Sequence, residues 1–125
     1  SAAEFTALLH ASTLAERRPA TEPDRIEAML KNANLIVTAR LAGKLVGVAR
    51  SLSDFAFCTY LSDLAVDVDF QHKGIGKELI RRTWEAAPLA KLILLSAPAV
   101  TTYYPKIGME RHPFAFILDN AKNLK

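Results

Sequence analysis

An α/β fold, one sheet flanked by helices, is what this 125-residue sequence predicts, and three observations predict it. Helical and strand-like periodicities alternate along the chain in the order helix, helix, three strands, helix, strand, helix, strand. The stretch VDVDFQHKGIGKELIRR passes from apolar–acidic alternation through two glycines straight into a helical stripe. The length, with 50% hydrophobic and 23% charged residues, suits a single soluble domain, residues 1–125, whose core needs no covalent staple.

Each element has a local reason. In EFTALLHASTLAERRP, Phe5, Leu8, Leu9 and Ser12 share one helical face, and Pro19 stops the helix. Thr21 and Asp24 form a capping-box pattern with Pro23 in the first turn, after which Ile26, Met29, Leu30 and Ala33 repeat at helical spacing. LIVTARLAGKLVGVARSL reads as two strands around a turn at Gly43, hence a hairpin, and FCTYLSDLAVDV as a third strand. Ile75, Leu79, Ile80, Thr83, Trp84 and Ala87 make the buried stripe of the next helix, which Pro88 ends. KLILLSA is a short buried strand, AVTTYYPKIG a short helix stopped by Gly108, and PFAFIL a last strand.

Composition narrows the function. Sixteen Lys and Arg against 13 Asp and Glu give a charge of +3, which suits an anionic ligand and is too mild for nucleic acid as a partner. The single cysteine, Cys58, cannot form an internal disulfide and is expected to be a small buried hydrophobe. No stretch reads as a signal peptide or a membrane span, so a reducing, cytoplasmic compartment and no membrane partner are expected. His10, His72 and His112 have no metal-ligand spacing, and no metal is expected.

Gly74 and Gly76, bracketed by Lys73 and Lys77, let the backbone curl at a helix start, where unpaired N–H groups and a partial positive charge receive phosphate. The same glycines also suffice for a tight strand-to-helix turn with the lysines on a solvated face. The loop has neither the Gly-Lys-Ser/Thr of a Walker A motif nor a GxGxxG pattern.

This loop, in this element order, resembles the GNAT superfamily of acetyl-CoA-dependent N-acetyltransferases. The family signature, Gln or Arg, two residues, Gly, one residue, Gly or Ala, is matched by Gln71, Gly74 and Gly76. YLSDLAVDVDFQHKGIGKELI resembles the family's fourth strand, loop and third helix, and TTYYPKIGM its later FYxKxGF segment, with Tyr103, Tyr104, Lys106, Gly108 and Met109 in register. The resemblance covers roughly residues 3 to 118, and two motifs in order are more specific than one.

The resemblance implies a GNAT acyltransferase fold, a mixed central sheet splayed at the family's fourth strand and flanked by helices. It implies acetyl-CoA as acetyl donor, bound by the loop Gln71, His72, Lys73, Gly74, Ile75, Gly76 and Lys77, with Ser96 and Tyr103 as further contacts. A bulge beside Leu64, Ala65 and Val66 is expected to hold the pantetheine arm and the thioester carbonyl, with the Val66 N–H as oxyanion donor; a plain central strand is the alternative. By the same resemblance Tyr104 is the general acid for the leaving thiolate, while Tyr103 packs as the family's Phe does; the alternative is that both tyrosines are core residues. Asp63 is the candidate base, against a water relay through Ser62 and Tyr60 or a simple strand-edge carboxylate. Asp67 and Asp69 belong to the solvated exit of the strand.

Two departures stand out. The family's arm-binding Asn is replaced by Ala97, followed by Pro98, leaving Ser96 as the nearest substitute. The family's customary first strand is absent from this chain, so either the chain is trimmed or a sheet edge lies open, for which a homodimer is one cover. AERRPATEP and SDFAF are the expected acceptor segments, with Arg17 and Arg18 for an anionic group and Phe55 and Phe57 for an apolar slot. The implied activity is direct acetyl transfer to a primary amine of a small molecule. A non-catalytic acetyl-CoA sensor and a protein lysine acetyltransferase are the alternatives.

Overall fold

A computed structural model describes residues 1–125. The chain divides into two compact units, residues 1–95 and 96–125.

The first unit carries the sheet. Helix α1 (Ala2–Ala11) starts on a capping box in which the Ser1 hydroxyl accepts from the Glu4 N–H, and it buries Phe5, Leu8 and Leu9. It ends well before Pro19. Ser12 closes it, donating its hydroxyl to the Leu9 carbonyl, and Thr13 then adopts a left-handed conformation with φ 71°. Helix α2 (Pro23–Asn32) is capped at Glu22 without a side-chain bond, so the expected Thr21–Asp24 capping box does not form; Pro23 does occupy the first turn, where its missing N–H costs nothing. Strands β1 (Leu35–Leu41) and β2 (Lys44–Ser53) form the expected hairpin. Ala42 and Gly43, with φ of 51° and 83°, supply the doubly left-handed turn that matches strand twist. β3 (Cys58–Val66) follows, then helix α3 (Ile75–Ala86) and β4 (Lys91–Leu94).

The sheet order is β1-β2-β3-β4, antiparallel except for the parallel β3–β4 pair. This is the mixed sheet expected. One face packs Val48 and Ala65 against Phe5, Leu8, Leu9 and Ile26 of α1 and α2; the other packs Ala49 and Leu61 against Leu79 of α3. Gly47 permits the second contact, because a Cβ there would lie 3.1 Å from Leu79 Cδ1 and 3.2 Å from Ile75 Cγ2. No helix is long and apolar enough to cross a membrane.

Several expectations fail for identifiable reasons. Trp84 is 48% exposed, because the α3 stripe that meets the sheet is Leu79, Thr83 and Ala87 and the indole lies at its margin. Cys58 is exposed, since it opens β3 beside the loop Asp54–Phe57. Asp67 is buried, with the Asp69 N–H donating to its Oδ1 and the Lys44 ammonium 3.6 Å away. β4 is half-exposed rather than buried, as its alternating pattern at the end of the sheet dictates.

The second unit contains helix α4 (Tyr103–Lys106), flanked by short 3₁₀ turns at Pro98–Val100 and Ala121–Asn123. PFAFIL forms no strand; Phe114, Phe116, Ile117 and Leu118 are exposed, Phe116 at 92%. Apolar alternation gives a strand a face but not a ladder partner, and here no partner is hydrogen-bonded to it.

Candidate active site

β3 and the loop after it make one continuous site. Along β2, Arg50 faces Asp63 and Ser51 faces Leu61, so Ser62 is the extra residue of a β-bulge. The bulge therefore lies at Ser62, two residues before the expected Leu64–Val66 position. Its consequence nevertheless reaches those residues. The Asp67 N–H donates to the Val46 carbonyl at 2.9 Å, the bond that flanks a non-hydrogen-bonded pair, here Gly47 and Val66. Pair types alternate, so Ala49 and Leu64 form another such pair, and the N–H groups of Leu64 and Val66 point away from β2. On that side β4 pairs only with Cys58 to Leu61. Beyond Leu61 the sheet is splayed, leaving both N–H groups without a sheet partner; the Ala65 pair is of the opposite type and faces β2.

The chain then turns through a 3₁₀ segment, Val68–Phe70, into the glycine loop. Gln71 folds back, its Nε2 donating to the Val66 carbonyl at 3.0 Å, which ties the loop to the open end of β3. His72 and Gly74 are both left-handed, with φ of 63° and 83°. Gly74 is the N-cap of α3 and no side chain caps it, so the amides of the first helical turn, Ile75, Gly76 and Lys77, are left without a capping acceptor. His72, Lys73, Gly74 and Lys77 are exposed, and the Lys73 ammonium sits 5.7 Å from the Phe70 ring centroid. An exposed helix N-terminus whose donors have no internal acceptor, with two lysines beside it, fits a diphosphate.

Asp63 lies on the other face of β3 and is wholly buried. Arg18 Nε donates to its Oδ1 at 2.5 Å and Arg50 Nε to its Oδ2. Each oxygen of the residue expected as the base therefore already accepts from a guanidinium. Arg18, expected at the acceptor, is turned inward by the same bond. The sequence reading did not single out Arg50, although a lone charge inside LVGVARSL is a residue that burial obliges to find a partner. Phe55 and Phe57 are exposed, and the Lys91 ammonium lies 4.8 Å from the Phe57 ring centroid; they enclose no slot. Tyr60 is partly exposed and stands in register between Leu52 and Ile93.

In the second unit, Tyr103 and Tyr104 are half-buried with their rings edge-on, 5.1 Å between centroids at 78°. Burial pushes both phenols above their ordinary pKa, and the neighbouring Tyr103 raises Tyr104 further. Each therefore holds its proton throughout the neutral range. The Ser96 hydroxyl donates to the Ala97 carbonyl at 2.8 Å.

A model of the acetyltransferase (GNAT) family matches residues 3–108. An uncharacterized N-acetyltransferase, ycf52, of Pyropia yezoensis is 30% identical over 96 residues, 71% of this chain and 55% of that protein. A histone acetyltransferase, TAP1, of Glycine max is 30% identical over 111 residues, 78% of this chain and 47% of that protein. The chain thus spans about half the length of these curated relatives. Among solved structures, an aminoglycoside N-acetyltransferase, AAC(6')-Iy, in complex with CoA superimposes with a TM-score of 0.70 at 15% identity, over 96% of this chain and 88% of that one, a likeness of fold.

Proposed function

Because the chain belongs to the acetyltransferase (GNAT) family, we propose that it is an N-acetyltransferase that uses acetyl-CoA and delivers the acetyl group directly to a primary amine of a small molecule. The observation that carries the reading is the uncapped N-terminus of α3 directly downstream of the splayed end of β3. Acetyl-CoA, when bound, supplies the acetyl group as a thioester. The amides of Gly74 to Lys77 hold its diphosphate, assisted by Lys73 and Lys77. The N–H groups of Leu64 and Val66 run along the open edge of β3, and that of Val66 is the donor for the thioester oxygen, where charge develops. Tyr104 holds the proton that the departing thiolate takes, and Tyr103 packs beside it. With both oxygens of Asp63 occupied, solvent removes the acceptor's proton. Residues 1–125 act in this reading as a single acetyltransferase domain, with no metal.

A panel of amines assayed for thiol release from acetyl-CoA tests the proposal. Release with one or more amines, and none with buffer alone, is the expected result; a chain that binds CoA yet releases none with any acceptor is a sensor. The likeness to the histone acetyltransferase of Glycine max favours a second reading, a protein lysine as acceptor. Lysine peptides in the same panel separate the two.

A further inference from the structure

The buried charges beneath the bulge have no part in the chemistry just proposed, yet they converge on one residue. Arg18 Nη2 donates to the Ser62 carbonyl at 2.7 Å, and Arg50 Nη2 donates to the Ser62 hydroxyl at 3.0 Å. Asp63 joins the two guanidiniums from below, one on each oxygen. The main chain and the side chain of the extra residue are therefore both held. The clamp is anchored elsewhere too: Arg50 Nη1 donates to the Met29 carbonyl of α2 at 3.1 Å, and Arg18 comes from the connection between α1 and α2. A hydrophobic trio would fill this space at a lower desolvation cost. What it would lack is a directional bond to a particular carbonyl and hydroxyl.

Direction matters because a bulge has a register. If the extra residue were lost and β3 paired without a bulge, the amides that follow would exchange orientation: those of Asp63 and Ala65 would face the splay, and those of Leu64 and Val66 would turn into the β2 ladder. We propose that the Arg18–Asp63–Arg50 cluster is a register lock, which fixes the bulge at Ser62 and so presents the Val66 N–H to the thioester carbonyl. Asp63, Arg18 and Arg50 are then positioning residues. The inference rests on the acetyltransferase reading for its ligand.

The test compares Asp63→Asn and Arg18→Gln in the full chain, measuring affinity for acetyl-CoA and for CoA by calorimetry and turnover across pH. Only acetyl-CoA carries the thioester carbonyl, so both variants should lose acetyl-CoA affinity relative to CoA. Turnover should fall by about tenfold or more, since a misaimed oxyanion donor forfeits part of the hundredfold or greater effect of removing one. The deficit should be the same from about pH 6 to about pH 9, because no base has been removed. Arg18 is 20% exposed at its side chain, so its variant carries the test should Asp63→Asn fail to fold. An Asp63→Asn deficit that closes as pH rises, with Arg18→Gln fully active, would overturn the lock in favour of a base. An unchanged acetyl-CoA to CoA affinity ratio in a folded Arg18→Gln would overturn it as well. If the parent binds acetyl-CoA but acetylates nothing, the enzyme reading fails while the affinity ratio still judges the lock; a parent that binds neither ligand ends both.

Discussion

The two ends of the site are built in opposite ways. The loop Gln71–Lys77 is mostly exposed, its helix start uncapped, and its shape comes from residues adjacent in sequence. The bulge at Ser62 is gripped by a buried ion-pair cluster whose members are 44, 45, 12 and 13 residues apart. A diphosphate is large and charged, so unpaired amides and two exposed lysines would suffice to meet it. A single carbonyl oxygen needs one N–H held in one direction, and that demands a rigid support.

The largest expected effect lies at the rigid end. Asp63→Ala strands two guanidiniums in a buried site and should cost about 3–5 kcal/mol of stability, read by urea unfolding. A loss under about 1 kcal/mol, typical of exposed pairs, would erase the contrast between the two ends. At the loop, Gly76→Glu should leave stability nearly unchanged while placing a carboxylate where the diphosphate docks. At a ligand concentration of about a hundred times Kd, the parent gains about 2.7 kcal/mol from CoA, and the variant should forfeit most of it, visible as a lost rise in Tm.

Tyr104→Phe sets the chemistry apart from both ends. A positioned general acid is worth about a hundredfold in rate, and that is the expected fall in kcat, with CoA affinity within a few-fold of the parent. Because burial raises the phenol's pKa, the donor form persists below and is lost only above the ordinary value of about 10. The parent's alkaline limb should therefore lie above about pH 10 and be absent from the variant. Tyr103→Phe, which removes the neighbouring hydroxyl instead, should keep both the rate and the limb. Smallest of all, Gly74→Ala should cost about 1–2 kcal/mol, since its φ of 83° strains any Cβ although nothing lies within 4 Å of one. CoA binding should weaken in step as the helix start rotates, measured by calorimetry.

Sequence by itself determined the features that short-range physics encodes. The left-handed turn at Ala42–Gly43, the α1 stripe Phe5–Leu8–Leu9–Ser12, the Pro23 helix start and the glycine loop entering α3 each follow from side chains within a turn of one another. The family, too, was legible there, because its signature is the local conformation of that loop. Tertiary structure alone decided where the bulge sits, which of the alternating amides of β3 are free, and that Asp63 is locked between Arg18 and Arg50. It also decided that Trp84 lies exposed and that PFAFIL does not pair. Period-two alternation fixes that a strand has two faces but not which partner covers each, and a one-residue bulge, set by contacts dozens of residues away, reverses the assignment.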